Sequence, residues 1–251
     1  MQTRAAIVTG GGRGIGRAIA IALARDDRSV AVADVLADEA RAVVAEITEA
    51  GGSAAPVELD VTDPASVQGG IEAAADALGP LEILVNNAGW DELRPFTDTD
   101  EEFWERVLDV NFKGALRMTH ALLPAMVRSG FGRIVSIGSD AGRVGSSLES
   151  VYAGAKGGLI AFTKTIAREA ARHGVTANTV CPGPTDTPML AGIAAAGGDA
   201  ERVIGAMTRA VPMRRLARPE EIAAAVAFFA SDQAGFITGQ TLSVSGGLTM
   251  A

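Results

Sequence analysis

The chain has 251 residues, of which 48% are hydrophobic, 21% charged and 4% aromatic, and its formal net charge is −8. That length fits one large domain able to bury roughly three quarters of its extended surface. The acidic balance opposes nucleic-acid binding, the single cysteine excludes an intrachain disulfide, and no segment approaches the roughly 20 apolar residues that span a bilayer.

The first ten residues hold too short an apolar run for a signal peptide, so the expected location is cytoplasmic. Ala5 to Val8 reads as a buried strand ending in glycines, and Ile15, Ile19, Ala22 and Leu23 recur at helical spacing up to Arg25. A strand over Val30–Ala33 precedes a helix over Ala40–Ala50, which Gly51 and Gly52 terminate. Val57–Leu59 is the third strand, and Thr62-Asp63-Pro64 opens a helix with a capping carboxylate before proline. Leu81–Val85 is a strand, after which Thr99 or Asp100 caps a long helix reaching about Val127. Arg133–Ile137 is a strand, Tyr152–Arg172 a helix and Val175–Val180 a strand. Pro219 opens a helix that ends near Ser231, and Thr241–Val244 is the last strand.

This alternation, unbroken by repeats or linkers, predicts an α/β fold. The expected form is a single-domain, Rossmann-like, doubly wound parallel sheet of about seven strands with helices on both faces, spanning 1–251. The stretch Pro182–Gly198 has no clear element, and a substrate lid is expected around 183–217. In such sheets ligands bind beyond the C-terminal strand ends. Small or polar residues stand there: Gly10, Asp34, Asp60, Asn86-Asn87, Gly138-Ser139 and Pro182-Gly183.

Thr9-Gly10-Gly11-Gly12-Arg13-Gly14-Ile15-Gly16 joins the first strand to the first helix. Glycine lets the backbone approach a ligand, and the following helix N-terminus favours a pyrophosphate. A tight turn without a ligand would need fewer glycines. Asp34 closes the second strand, where a carboxylate accepts from ribose hydroxyls and repels a 2′-phosphate, so NAD is expected rather than NADP. Capping of the next helix is its simpler role, and Arg13 is the competing signal for a phosphate. Asp60-Val61 and Asn86-Asn87-Ala88-Gly89 are suited to the adenine edge and to bracing the loops.

Ser139, Tyr152 and Lys156 form the sharpest constellation. Tyr152 is the only tyrosine, and Lys156 stands four residues on, so both project from one helix face. A free tyrosine titrates near 10, and a nearby ammonium together with a nicotinamide charge is expected to lower it. Ser139 would hydrogen-bond the reacting oxygen.

These motifs together resemble the short-chain dehydrogenase/reductase family in its single-domain branch. The match runs from Gly10, Gly14, Ile15 and Gly16 through Asn86-Asn87-Ala88-Gly89 and Asn111 to Ser139, Tyr152, Lys156 and Pro182-Gly183, essentially the whole length. The resemblance implies Tyr152 as acid/base, Ser139 orienting the substrate and Lys156 holding the nicotinamide ribose. It further implies Asn111 supporting a water relay, Thr185 and Thr187 beside the cofactor, and a homotetramer built partly from the helices carrying Asn111 and Tyr152. Within the family, the segments 86–91, 139–147 and 181–187 resemble 2-hydroxycyclohexanecarboxyl-CoA dehydrogenases, which adds Trp90 and Arg143 as substrate residues. The expected activity is NAD-dependent interconversion of a secondary alcohol and a ketone on a cyclic or branched hydroxyacyl-CoA. A 3-oxoacyl-[acyl-carrier-protein] reductase and a general secondary alcohol dehydrogenase are alternatives, and a non-catalytic NAD sensor is the alternative of another class.

No metal site is expected, because His120 and His173 are the only histidines and stand far apart. Cys181 is expected to be a packed thiol. Arg209, Arg214, Arg215 and Arg218 are expected either to hold CoA phosphates or to make salt bridges.

Overall fold

The computed structural model describes residues 4–196 and 200–250. Seven strands form one parallel sheet: β1 (Ala5–Thr9), β2 (Ser29–Asp34), β3 (Ser53–Glu58), β4 (Leu81–Asn86), β5 (Gly132–Ile137), β6 (Val175–Pro182) and β7 (Thr241–Val244). Their order is β3-β2-β1-β4-β5-β6-β7. The strand order reverses between β1 and β4, which opens a crevice above their C-terminal ends. The central strands β1 and β5 are buried along their whole length, as an apolar strand covered on both faces must be. Pro56 lies in β3, which pairs with β2 alone, so its missing N–H falls at a sheet edge.

Helices α1 (Gly14–Arg25), α2 (Ala37–Glu49), α3 (Pro64–Leu78), α4 (Glu101–Leu108) and α5 (Gly114–Ser129) account for the first part of the chain. Then come α6 (Ala141–Val144), α7 (Ser150–Ala170), α8 (Pro188–Ala196), α9 (Ala200–Ala210) and α10 (Pro219–Ala230). One core lies between the sheet and α1, α2 and α10, around Ile19, Val32, Ile83, Val135 and Ile222. The other lies beneath α3, α5 and α7, around Ile7, Leu84, Met118, Ile134 and Ile166.

The caps follow the expected chemistry. Asp63 accepts from Ala65 N at 2.9 Å and Asp100 from Phe103 N at 2.9 Å. Thr99 is not the cap; its hydroxyl donates to Phe96 O and accepts from the Trp104 indole. Gly51, at φ +84°, closes α2 through a hydrogen bond to Thr48 O.

Two expectations needed correction. The long helix from Asp100 is interrupted by a π-helical turn over Asp109–Lys113, which displaces Asn111 inward. The stretch after Pro182 carries two helices, α8 and α9, where no element was expected. Its composition of Ala, Gly and Pro lacks the polar–apolar alternation by which a surface helix announces itself, so only docking on the domain reveals α8.

Candidate active site

A cleft of about 1290 Å³ opens above the strand ends. Its cofactor end is made mostly of backbone. Gly10 and Gly14 have φ of +61° and +54°, and a Cβ on Gly16 would sit 2.0 Å from Gly10 O, so the loop folds tightly enough to present its N–H groups. Asn87 Nδ2 donates to Thr9 O at 2.9 Å and Gly10 O at 3.0 Å, while Thr9 Oγ1 accepts from Asn87 N and Ala88 N. The end of β4 thereby holds the glycine loop in shape, the bracing role expected of Asn87. The N-terminus of α1, whose first-turn N–H groups have no intrahelical acceptor, fits a dinucleotide pyrophosphate.

Asp34 is buried, with Oδ2 accepting from Gly12 N at 2.9 Å and Oδ1 from Leu36 N at 3.0 Å. It does not cap α2, whose N-cap is Leu36 with no side-chain cap hydrogen bond, and it lines the cleft with lone pairs left for a ligand. Asp60 Oδ1 is held by Thr62 N and Oγ1, and Arg13 stands exposed on the rim. Ile15, Val61, Ala88, Gly89, Pro182, Gly183, Thr185 and Thr187 complete the expected cofactor wall. Thr185 Oγ1 donates to Gly183 O, and Thr187 Oγ1 accepts from Leu190 N to start α8.

Ser139, Tyr152 and Lys156 meet on one wall of the same cleft. The Ser139 hydroxyl accepts from Ala141 N at 3.1 Å, which anchors it after β5. Lys156 is buried and donates to Ile137 O at 2.9 Å, with its Nζ 5.5 Å from the centre of the Tyr152 ring. Burial lowers the Lys156 ammonium to about 8, so at neutral pH it keeps its charge. The expected lowering of Tyr152 counts on a nicotinamide charge as well as on Lys156. Burial first, then the charges of Glu149 and Asp91, push the phenol well above its ordinary range, and the Ser139 hydroxyl only partly offsets them. Desolvation of a phenolate dominates, and the protein alone therefore keeps Tyr152 protonated, as a proton donor.

Two expected residues lie outside the cleft. Asn111 turns its amide onto Trp90, donating to Trp90 O at 2.6 Å and Val107 O at 2.9 Å and accepting from Trp90 N at 3.3 Å. Arg143 points to the sheet edge, donating to Ser243 Oγ at 2.6 Å, and Ser243 in turn donates to Asp140. Arg143 is used in tying α6 to β7, and Trp90 alone of that pair faces the substrate end.

A family profile described as enoyl-(acyl carrier protein) reductase matches residues 10–249. The chain belongs to the short-chain dehydrogenase/reductase family. It is 40% identical over 247 residues to the short-chain reductase protein NovJ of Streptomyces niveus, covering 98% of this chain and 94% of that one. It is 39% identical over 250 residues to the 3-oxoacyl-[acyl-carrier-protein] reductase FabG of Vibrio cholerae, covering 100% and 99%. A crystal structure of an actinorhodin polyketide ketoreductase variant with NADPH superposes with a TM-score of 0.94 at 34% identity, covering 98% of this chain and 97% of that one. The protein is thus an oxidoreductase of this family with a Rossmann-like sheet.

Sequence reasoning overlooked two acids in this family site, Asp91 and Glu149, which line the cleft with Tyr152. Asp91 is buried and its carboxyl is raised to about 7, chiefly by desolvation and then by the charge of Glu149. The signal was an acid placed directly after the strand-end turn, but only the fold shows that it is buried. Among the described residues no group of three or more His, Cys, Asp or Glu side chains is placed to hold a metal ion. Cys181 is fully buried with its thiol raised to about 11 by burial, as a packed thiol should be.

Proposed function

We propose that the protein is a ketoreductase that interconverts a 3-oxoacyl thioester and its 3-hydroxyacyl counterpart, with NAD(H) as its nicotinamide cofactor. The observation that carries this reading is the meeting of Ser139, Tyr152 and Lys156 on one wall of the cleft whose other end is the glycine cradle. The relatives named as 3-oxoacyl-[acyl-carrier-protein] reductases support the thioester, in preference to the free alcohol of a general dehydrogenase. Asp34 supports NAD over NADP, because a buried carboxylate would face the 2′-phosphate that NADP carries. The NADPH in the related ketoreductase structure favours the other cofactor, and Asp34 is the residue that decides between them.

When bound, the nicotinamide supplies or accepts the hydride. Ser139 orients the substrate carbonyl oxygen. The protonated Tyr152 hydroxyl gives its proton to the alkoxide oxygen as it forms, and takes it back in the oxidative direction. Lys156, fixed by Ile137 O, places positive charge near the ring, and its remaining N–H donors would hold the nicotinamide ribose. Asn111 acts through Trp90, whose backbone it clamps. In this reading α8 and α9 serve as the lid, and the enzyme works in the cytoplasm as a homotetramer, a state that light scattering checks directly.

A second reading, oxidation of 2-hydroxycyclohexanecarboxyl-CoA, rests on the segments around Trp90, Ser139 and Pro182. The lid arginines lend it no support. Arg215 makes a two-pronged pair with Glu221 at 2.6 Å, Arg218 lies 3.5 Å from the same carboxylate, and Arg214 donates to Arg209 O. The test is reduction of acetoacetyl-CoA with NADH and NADPH, followed at the nucleotide absorbance, beside oxidation of the cyclic CoA ester. Turnover with NADH preferred is expected. Turnover of neither thioester with either nucleotide overturns the proposal.

A further inference from the structure

The backbone on either side of Ser139 is tied to the end of β6: Gly138 N donates to Val180 O at 2.8 Å and Asp140 N to Pro182 O at 3.1 Å. The direction of the Ser139 hydroxyl is set separately. Its oxygen accepts from Ala141 N at 3.1 Å, which fills one acceptor site and leaves the O–H to donate to a substrate oxygen. Ala141 opens α6, a single turn of four residues that is too short to hold its own shape. Whatever fixes α6 therefore aims Ser139.

Two contacts fix it. On one side Gly142 lies against α7, where a Cβ would come within 2.7 Å of the Lys156 carbonyl carbon. On the other side Ser243 joins both ends of the turn. Its hydroxyl donates to Asp140 Oδ1, just ahead of α6, and accepts from the Arg143 guanidinium at 2.6 Å. Asp140 is 4% exposed and its Oδ2 has no partner among the described residues, so Ser243 is the donor that holds this buried carboxylate and links it to the charge of Arg143. Ser243 is itself fixed by the sheet, since β7 pairs with β6 at Cys181 and Ser243. It stands 100 residues beyond Arg143 and does not line the cleft.

We propose that Ser243, on the sheet-edge strand β7, is a positioning residue for Ser139: by joining Asp140 to Arg143 it fixes α6, whose first N–H aims the Ser139 hydroxyl at the reacting oxygen. This inference rests on the ketoreductase reading for the role of Ser139 and adds to that site a residue outside the cleft. Ser243→Ala cuts both contacts at once, so Asp140 Oδ1 loses its donor and Arg143 its acceptor. The turn then rests on α7 alone, and the Ser139 hydroxyl loses its fixed direction. The loss falls on the carbonyl substrate and not on the nucleotide.

The experiment is a double-mutant cycle on acetoacetyl-CoA reduction, read in kcat/KM, with NADH binding followed by the fluorescence of the nucleotide. Ser243→Ala is expected to lower kcat/KM by about tenfold, mainly through kcat, with the Kd for NADH within about twofold of the parent. Ser243→Thr keeps the oxygen on a residue suited to a strand and restores the parent value within about twofold. In a Ser139→Ala background, Ser243→Ala costs less than about twofold, because the group it aims is gone. An equal loss in both backgrounds, or no loss in Ser243→Ala, overturns the proposal. Arg143→Met cuts only one end of the tie; it is expected to follow the same pattern at smaller size, and it replaces Ser243→Ala if that variant folds poorly. Crystal structures of the parent and of Ser243→Ala address the same point without turnover. The Ser139 side chain and α6 are expected to shift relative to Tyr152, and an unchanged arrangement overturns the positioning role. Failure of the parent to reduce the thioester overturns the ketoreductase reading alone, and the crystal comparison then decides for or against Ser243.

Discussion

The two ends of the cleft are built on different principles. At the cofactor end the polar side chains are satisfied by backbone groups: Asp34 by Gly12 and Leu36, Asp60 by Thr62, and Asn87 by the glycine loop. At the substrate end buried carboxylates are left short of partners, as Asp91 Oδ2 and Asp140 Oδ2 are. A binding site for an invariant dinucleotide profits from being set before the ligand arrives. A site for proton transfer and selection needs groups whose charge is held at the edge of ionisation, and only burial next to other acids provides that.

The contrast can be broken by a single substitution at each end. Tyr152→Phe keeps the ring and removes the ionisable oxygen, so kcat should fall by roughly 10²–10⁴-fold while nucleotide binding survives. Residual turnover above about a hundredth of the parent would contradict its role as proton donor. At the other end, Gly16→Ala puts a methyl group 2.0 Å from Gly10 O. The loop must open, so nucleotide affinity in a fluorescence titration should drop by about tenfold or more, with the thermal transition lowered as well. An unperturbed Kd would mean that the cradle is not where the pyrophosphate lies.

A subtler test moves selectivity rather than activity. Asp34→Ala removes a buried carboxylate, so the ratio of kcat/KM for NADH over NADPH should fall, by improved use of NADPH together with some loss of loop order. Equal use of both nucleotides by the parent would defeat the reading of Asp34.

Stability against pH sharpens the difference between the two ends. Folded Asp91 holds its proton up to about pH 7, whereas in the unfolded chain it is lost near the ordinary value of 3.8. Between those limits the folded state binds more protons, so unfolding free energy should decline as pH rises from about 4 through 7. Asp91→Asn should remove roughly 4 kcal/mol of that decline in denaturant titrations across this range. A parallel decline in parent and variant would show that Asp91 ionises normally. The smallest effect belongs to the lid arginines. Arg214→Ala with Arg215→Ala breaks the exposed Arg215–Glu221 pair and should change KM for a CoA thioester by less than about twofold, since exposed pairs contribute little.

The amino-acid pattern alone determined the seven parallel strands, the glycine cradle, the Asp34 strand end and the Ser139, Tyr152 and Lys156 set. Each of these depends on residues close in the chain or on a fixed helical or strand spacing, and such short-range geometry is written in residue type. The tertiary structure alone decided the rest. It turned Arg143 away to Ser243, folded α8 from a stretch without periodicity, set Asn111 to clamp Trp90 through a π-helical turn, and brought Asp91 against Glu149. It also set the protonation of Tyr152 in the protein alone: the phenol is raised by burial and by the charges of Glu149 and Asp91. Desolvation and the sum of neighbouring charges depend on everything that packs around a group, and residues 58 positions apart in the chain, such as Asp91 and Glu149, meet only once the sheet has placed their loops side by side.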